Sequence, residues 1–234
     1  MIGDIISSQV YWVSGGVWTR PRSEGQTEME YQVRNWYYFN WLCGDHICEQ
    51  HVHNLDVAVW FLGRLPVSAV GFGGRARRQT GNMFDFFSVD YDFGDDVHIH
   101  SQCRQLSGAY GRVGEMFTGT EGSCYGGGKL NGKKVEIAEI KVDSDNGQVQ
   151  EHVDMIRSVA AGKPLNDAKR IAEVTLVAIM GRMSAYTGDM IRWNDLIKND
   201  ASPLFNFACA PAAIDFEKGP ITLPAEVPPV PGKA

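Results

Sequence analysis

The sequence has no glycine-rich dinucleotide fingerprint. "GFGGRA" carries Ala76 where a G-x-G-x-x-G motif needs its last glycine, and Asn131 breaks the pattern after Gly126 and Gly128. "GGGKLNG" also fails as a phosphate loop, with Ser123 at the first glycine position and Leu130 at the Ser/Thr position. A G-x-S-x-G nucleophile elbow, an H-E-x-x-H zinc helix and a C-x-x-C pair are equally missing. The chain thus offers no nucleotide-phosphate cradle, no hydrolase elbow and no zincin site. The five cysteines, Cys43, Cys48, Cys103, Cys124 and Cys209, are odd in number and irregular in spacing, so they read as thiols rather than a disulfide framework. No apolar run approaches the ~18 residues of a membrane span, and no leader precedes the first strand-like run. Thiols without a leader fit a cytoplasmic protein. A start this abrupt is also what a chain missing its first part would show, so export stays open.

Basic charge is scarce as well. The 234 residues carry a formal charge of −6, and the only basic cluster is "GRARR" at Gly74–Arg78, which reads as the cap of a strand end. A nucleic-acid binder needs a basic face, so that class is excluded.

What is present is an ordinary globular balance, 44% hydrophobic and 21% charged, in a length suited to one large domain. Ile5–Val13 reads as a strand. Ser14–Asn40 is a long polar-aromatic stretch without a clean period, of the kind that often carries function. A helix is expected over Asp45–Leu62, with Asp45 as N-cap and Gly63 just past its end. "VSAVGFGG", "FDFFSVDYDF", "VHIHSQCRQL", "GEMFTGTEGSCY" and "KVEIAEIKV" read as strands, with Gly94-Asp95-Asp96 as a hairpin turn. Helices follow over 150–161 and from Asn166 or Asp167 to Gly188. The expected fold is α+β, an open, mostly antiparallel sheet with helices packed on one face, spanning 1–200. Residues 201–234, with Pro220, Pro224, Pro228, Pro229 and Pro231, read as an extended tail.

The chemistry concentrates in "GDHICEQHVHNLD". On a helical wheel Cys48, Val52, Leu55, Val59 and Leu62 form an apolar stripe, whereas His46, Glu49, His53, Asp56 and Trp60 share a neighbouring arc and His51 turns elsewhere. Glu49 and His53 are i, i+4 partners. A carboxylate one turn from an imidazole can orient it and share a proton with it. Three readings stay open: an acid–base site, a polar seam without chemistry, or a metal held by His46, Glu49 and His53 for a lyase or hydrolase.

"RNWYYFNWLCGDHICEQHVHNLDVAVWFLGRLPVSAVGFGGR", "GTEGS" and "QEHVDMIRSVAAGKPLNDAKRIAEVTLVAIMGRMSAYTG" together resemble, in order, the C-terminal domain of Gfo/Idh/MocA oxidoreductases, the family of glucose–fructose oxidoreductase and inositol dehydrogenase. The resemblance covers about Gly3 to Leu196. It implies a substrate-binding and dimerising domain of an NAD(P)-dependent enzyme acting on a sugar or polyol CH–OH group. The family's helix signature is D-x-x-x-H, often within D-x-G-x-H-x-x-D. Here Glu49 stands for the aspartate, His51 for the glycine, His53 for the histidine and Asp56 for the last aspartate. The resemblance makes His53 and Glu49 the catalytic pair. Position suggests Trp18, Arg34, Asn35, Trp36, Asp56 and Arg104 as substrate-site residues. The family's dinucleotide-binding domain and its E-K-P lysine have no counterpart here, because Lys163-Pro164 sits in a helix connection and Lys218 in the tail. The chain is therefore expected to be the substrate half of a dehydrogenase, inactive alone, with NAD(P) bound only by a complete enzyme and no metal. A homodimer or larger oligomer would form through the open sheet. The rival from another class is a non-catalytic sugar-binding or dimerisation module.

Overall fold

The computed structural model describes residues 1–125, 128–136 and 140–205. Its elements in chain order are β1 (Ile5–Ser14), α1 (Glu28–Arg34), a 3₁₀ turn (Trp36–Tyr38), α2 (Asn40–Cys43), α3 (His46–Glu49) and α4 (Val52–Leu62). They continue through β2 (Ser68–Gly74), β3 (Phe86–Asp92), β4 (His98–Gln105), β5 (Arg112–Gly119), β6 (Gly122–Cys124), β7 (Lys129–Leu130) and β8 (Lys133–Lys134). The last are α5 (Gly147–Ala160), α6 (Ala168–Thr187), β9 (Ile191–Arg192) and α7 (Trp193–Ile197).

Among the described residues the strands make one open sheet in the order β8-β7-β6-β5-β1-β4-β3-β2-β9. Every pairing is antiparallel except β1 with β4, which run parallel from Ser7 opposite His98 to Ser14 opposite Gln105. The expected α+β architecture is the one observed. The parallel pair needs a crossover, and the helical segment from Glu28 to Leu62 lies within it.

Strand alternation sorts the two faces. In β4 the buried positions are Ile99, Ser101, Cys103 and Gln105; in β3 they are Phe87, Val89 and Tyr91. These meet Ile47 and Leu55 of the crossover helices, both nearly without solvent contact, each worth about 1.5–3 kcal/mol of burial. α6 presses on β2 where both elements carry glycine. A Cβ on Gly71 would stand 2.8 Å from the Gly181 carbonyl, and one on Gly181 would stand 2.2 Å from the Tyr91 hydroxyl. Among the described residues nothing covers the opposite face of the sheet, where Phe72 is 70% and Phe86 37% exposed.

Several expectations meet the structure differently. The helix expected from Asp45 to Leu62 is broken at Gln50–His51. The His51 N–H reaches back to the His46 carbonyl, 3.0 Å away and five residues earlier, the spacing of a π-type turn. That turn rotates α3 against α4, so His46, which the wheel placed beside Glu49 and His53, is fully buried with its ring 5.4 Å from that of Phe87. Asp45 does not cap. It adopts φ 70°, rare without glycine, and its carboxylate accepts from Phe84 N at 3.0 Å, Arg182 Nε at 3.0 Å and the Tyr186 hydroxyl at 2.8 Å. Gly63 does end α4 in the left-handed conformation, with its N–H on the Val59 carbonyl. The polar-aromatic stretch contains α1, opened by a Thr27–Glu30 capping box. "GRARR" does follow a strand end: the N–H groups of Ala76, Arg77 and Arg78 all donate to Asp85 Oδ2. Within "KVEIAEIKV" only Lys134 lies in a strand among the described residues, with 137–139 outside them. Most of the proline-rich tail, 206–234, lies outside them as well.

Candidate active site

The site forms where β1 and β4 end side by side. In open sheets with parallel strands, the carboxyl ends of those strands bound a crevice, since the chain must leave the sheet there. The crossover supplies the residues above that end. Glu49 closes α3 and His53 opens α4, with the break between them. His53 is exposed, and its ring lies 5.8 Å from that of Trp12, contributed by β1. Glu49 is half-buried beside it. Across the break the two side chains are within electrostatic reach of each other.

Burial raises the Glu49 carboxyl above the usual carboxylate range, against the opposing pull of the Tyr37 hydroxyl, His53 and Gln50. Tyr37, from the 3₁₀ turn, lies within electrostatic reach of Glu49, and burial pushes its phenol above its ordinary range. Gln105 Nε2, at the end of β4, donates to the same hydroxyl oxygen at 2.7 Å. Two buried polar atoms beside His53 have no hydrogen-bond partner: Glu49 Oε2 and Trp12 Nε1. Buried groups are nearly always paired, and an acceptor and a donor both left free beside an imidazole are suited to a hydroxylated ligand.

His51 serves the scaffold. It is fully buried, with Nδ1 3.2 Å from Asn54 Oδ1 and Nε2 2.7 Å from Ser101 Oγ. Since Asn54 presents its oxygen, the His51 proton sits on Nδ1 and Ser101 donates to Nε2; Asn54 Nδ2 in turn donates to Glu115. Burial depresses the His51 pKa to about 4, so the ring is neutral at pH 7. This pin locks the start of α4, and with it His53, onto β4.

The other expected site residues divide. Trp18 and Trp36 stay together, ring centres 6.1 Å apart, 43% and 38% exposed, and Trp36 touches Tyr37 at 5.5 Å; they form an aromatic wall next to the Tyr37 side. Asn35 is buried and spends its side chain on the fold, accepting from Arg20 N and donating to the Arg20 and Tyr31 carbonyls. Arg34 bonds Ser23 on a shallow cleft formed with Glu24, Gln26 and Glu30. Asp56 pairs with Arg170 of α6. Arg104 neighbours the inward Cys103 in β4 and so faces the other side of the sheet, donating to the Tyr110 carbonyl. Tyr37, Gln105 and Trp12 are the members that sequence reasoning missed. Tyr37 and Trp12 stand in aromatic-rich stretches, but nothing local to them points at Glu49 or His53.

Among the described residues no group of three or more His, Cys, Asp or Glu is arranged to hold a metal ion. None of the described helices opens on a G-x-G-x-x-G turn, the usual cradle of a dinucleotide pyrophosphate.

No family model and no curated protein matches the sequence. Solved structures do. GenD2 from gentamicin A biosynthesis, in complex with NAD, superposes with a TM-score of 0.60 at 16% identity, covering 82% of this chain and 56% of its own. The aldose-aldose oxidoreductase from Caulobacter crescentus, complexed with glycerol, gives 0.59 at 14% identity over 82% and 56%. The fold is that of the C-terminal domain of Gfo/Idh/MocA oxidoreductases. The myo-inositol 2-dehydrogenase from Lactobacillus plantarum shares the same architecture, with a TM-score of 0.54 at 17% identity over 82% and 57%. The chain spans a little over half the length of each of these structures. In this fold Ile47 and Leu55 pack the broken α3–α4 segment over the sheet. What happens there is a matter for this chain's own side chains.

Proposed function

We propose that this chain supplies the substrate-binding half of an NAD(P)-dependent oxidoreductase acting on a sugar or polyol CH–OH group. The observation that carries the reading is the Glu49–His53 pair, open to solvent on the histidine side and flanked by Trp12 and by the unpartnered Glu49 Oε2. His53 takes the proton of a substrate hydroxyl as the carbon is oxidised, and Glu49 holds the imidazole and shares the proton. Trp12 and the Trp18–Trp36 wall provide flat apolar surfaces for the C–H faces of a pyranose or cyclitol ring. Hydride transfer is the chemistry of the nicotinamide, and its phosphates must be bound by residues other than those described here.

The neighbours' printed names support the substrate class: they include an inositol dehydrogenase and an aldose oxidoreductase. The uncovered sheet face, with Phe72 and Phe86 exposed, supports a homodimer formed through it. The metal-dependent lyase draws no support from the geometry, since His46 is buried in the core and His53 stands at the surface.

Division of labour has a direct test. Titrating NADH into residues 1–234 and following nicotinamide fluorescence should give no saturable binding and, with polyols and NAD(P)+, no turnover. A saturable isotherm in the micromolar range would overturn the assignment of the cofactor to other residues.

A further inference from the structure

The pin at the helix break has a direction, and a residue on a neighbouring strand sets it. Glu115 stands on β5 opposite Val10 of β1, and its Oε1 accepts from Asn54 Nδ2. Asn54 Oδ1 lies 3.2 Å from His51 Nδ1, and His51 Nε2 lies 2.7 Å from Ser101 Oγ. These four side chains join β5, the start of α4 and β4 in one chain of hydrogen bonds.

An amide can present either end, and a neutral imidazole can carry its proton on either nitrogen. Asn54 and His51 therefore have no direction of their own. Neither has Ser101, since a hydroxyl both donates and accepts. Glu115 is the exception, because a carboxylate only accepts. It takes the NH₂ end of Asn54 and turns Oδ1 toward His51. Burial keeps the His51 ring neutral at pH 7, so it holds a single ring proton. Nδ1 must carry that proton to meet the Asn54 oxygen, and Nε2 is left to accept from Ser101.

The turn fixed in this way is the one that carries His53. The His53 N–H reaches the Gln50 carbonyl at 3.3 Å, and the Asn54 and Leu55 N–H groups reach the His51 carbonyl at 3.0 and 3.2 Å. His53 thus stands between two members of the pin, with its ring 5.8 Å from that of Trp12. Farther along α4 the Phe61 ring stacks on Phe117 of β5, centres 4.8 Å apart. That stack fastens the other end of α4 and has no part in the pin.

We propose that Glu115 is a positioning residue of the candidate site: its carboxylate sets the amide of Asn54, the tautomer of His51 and the donating sense of Ser101, and so holds the turn that keeps His53 beside Trp12. Its importance for a reaction rests on the reading of His53 as an acid–base group; the direction of the chain does not.

Long-range ¹H–¹⁵N correlation spectra of residues 1–234 at pH 7 read the tautomer, with the His51 ring assigned by its loss in His51→Asn. In the unaltered chain His51 should be protonated on Nδ1. Glu115→Lys puts a donor where the acceptor was, so Asn54 turns round and His51 should switch to the Nε2-protonated form. Glu115→Gln can still offer an oxygen to Asn54 and should keep the Nδ1 form. In the lysine variant the cross-relaxation between the His53 and Trp12 rings should be lost while that between Phe61 and Phe117 persists. A purely structural contribution would not move the proton from one nitrogen to the other. Nε2 protonation in the unaltered chain, or Nδ1 protonation in Glu115→Lys, overturns the proposal. So does an undiminished His53–Trp12 contact after the switch. If Glu115→Lys does not fold, Glu115→Leu takes its place: with no acceptor Asn54 is free to turn, and His51 should show both tautomers, whereas the Nδ1 form alone overturns the proposal. The spectra need no ligand, so a failed polyol titration strikes the reading of the site and leaves the role of Glu115 in the pin to these results.

Discussion

Replacing Asp45 by alanine is expected to destabilise the chain by about 3 kcal/mol or more, the usual cost of removing one partner of a buried ion pair. The side chain is fully buried and gathers three donors from distant parts of the sequence: Phe84 N, Arg182 Nε and the Tyr186 hydroxyl. Alanine would strand all three. Arg182 retains some access to water, with 22% of its side chain exposed, which keeps the figure at the lower end of the range. The Phe84–Tyr186 stack, centres 3.9 Å apart and nearly coplanar, would persist and limit the collapse. Because Asp45 precedes α3 directly, the same substitution loosens the segment that aims Glu49. Urea unfolding at pH 7 measures the loss; a change below about 1 kcal/mol, the range of an ordinary surface substitution, would contradict this account.

The second large effect is acid lability. His46 and His51 are fully buried, and burial holds their pKa values at about 3 and about 4, with Arg78 and His51 adding to the depression of His46. An unfolded histidine titrates near 6.5. Above that value neither state binds the proton and the two rings cost nothing. Below it the unfolded chain binds protons that the folded chain refuses, so stability falls as pH falls, until the folded-state values are reached. Two such sites give a slope of up to about 3 kcal/mol per pH unit between pH 6 and 4. Glu49 and Asp45 work in the opposite sense, since burial raises both folded pKa values: their contributions are present below the unfolded values and fade as pH rises through the folded ones. The net expectation is a loss of several kcal/mol by pH 4.5, seen as a falling urea midpoint, with about half the slope removed in His51→Asn. A flat profile between pH 6.5 and 4.5 would show that the two rings are not buried neutral.

How much of this was legible in the sequence depends on the range of the interaction. Local signals were readable: the apolar stripe Cys48, Val52, Leu55, Val59 and Leu62 packs on or in the core, Gly63 and Gly188 end their helices, and Gly94-Asp95-Asp96 lies in the connection between β3 and β4. The Thr27–Glu30 capping box is a local signal of the same kind. The break at Gln50–His51 was not, because the bond that holds His51 there goes to Ser101, fifty residues on, which no helical period carries. Asn35 and Asp56 look like site residues by position yet spend their side chains on Arg20, Tyr31 and Arg170. Tyr37 and Gln105 are sixty-eight residues apart and meet only because β4 ends beneath the 3₁₀ turn. Periodicity finds faces of single elements; a site assembled from five elements appears only once the sheet order is known.

Whether Glu49 and His53, with Trp12 and Tyr37, receive a hydroxylated ring can be read by chemical-shift mapping. Titration of the labelled chain with myo-inositol, glucose and a non-hydroxylated ring of equal size should perturb the resonances of His53, Trp12 and Tyr37 with the two polyols only. In Glu49→Gln and in His53→Ala those perturbations should weaken or vanish while the rest of the spectrum stays in place. Polyol shifts confined to the outer sheet face around Phe72 and Phe86, or no polyol shift at any concentration, would contradict that reading.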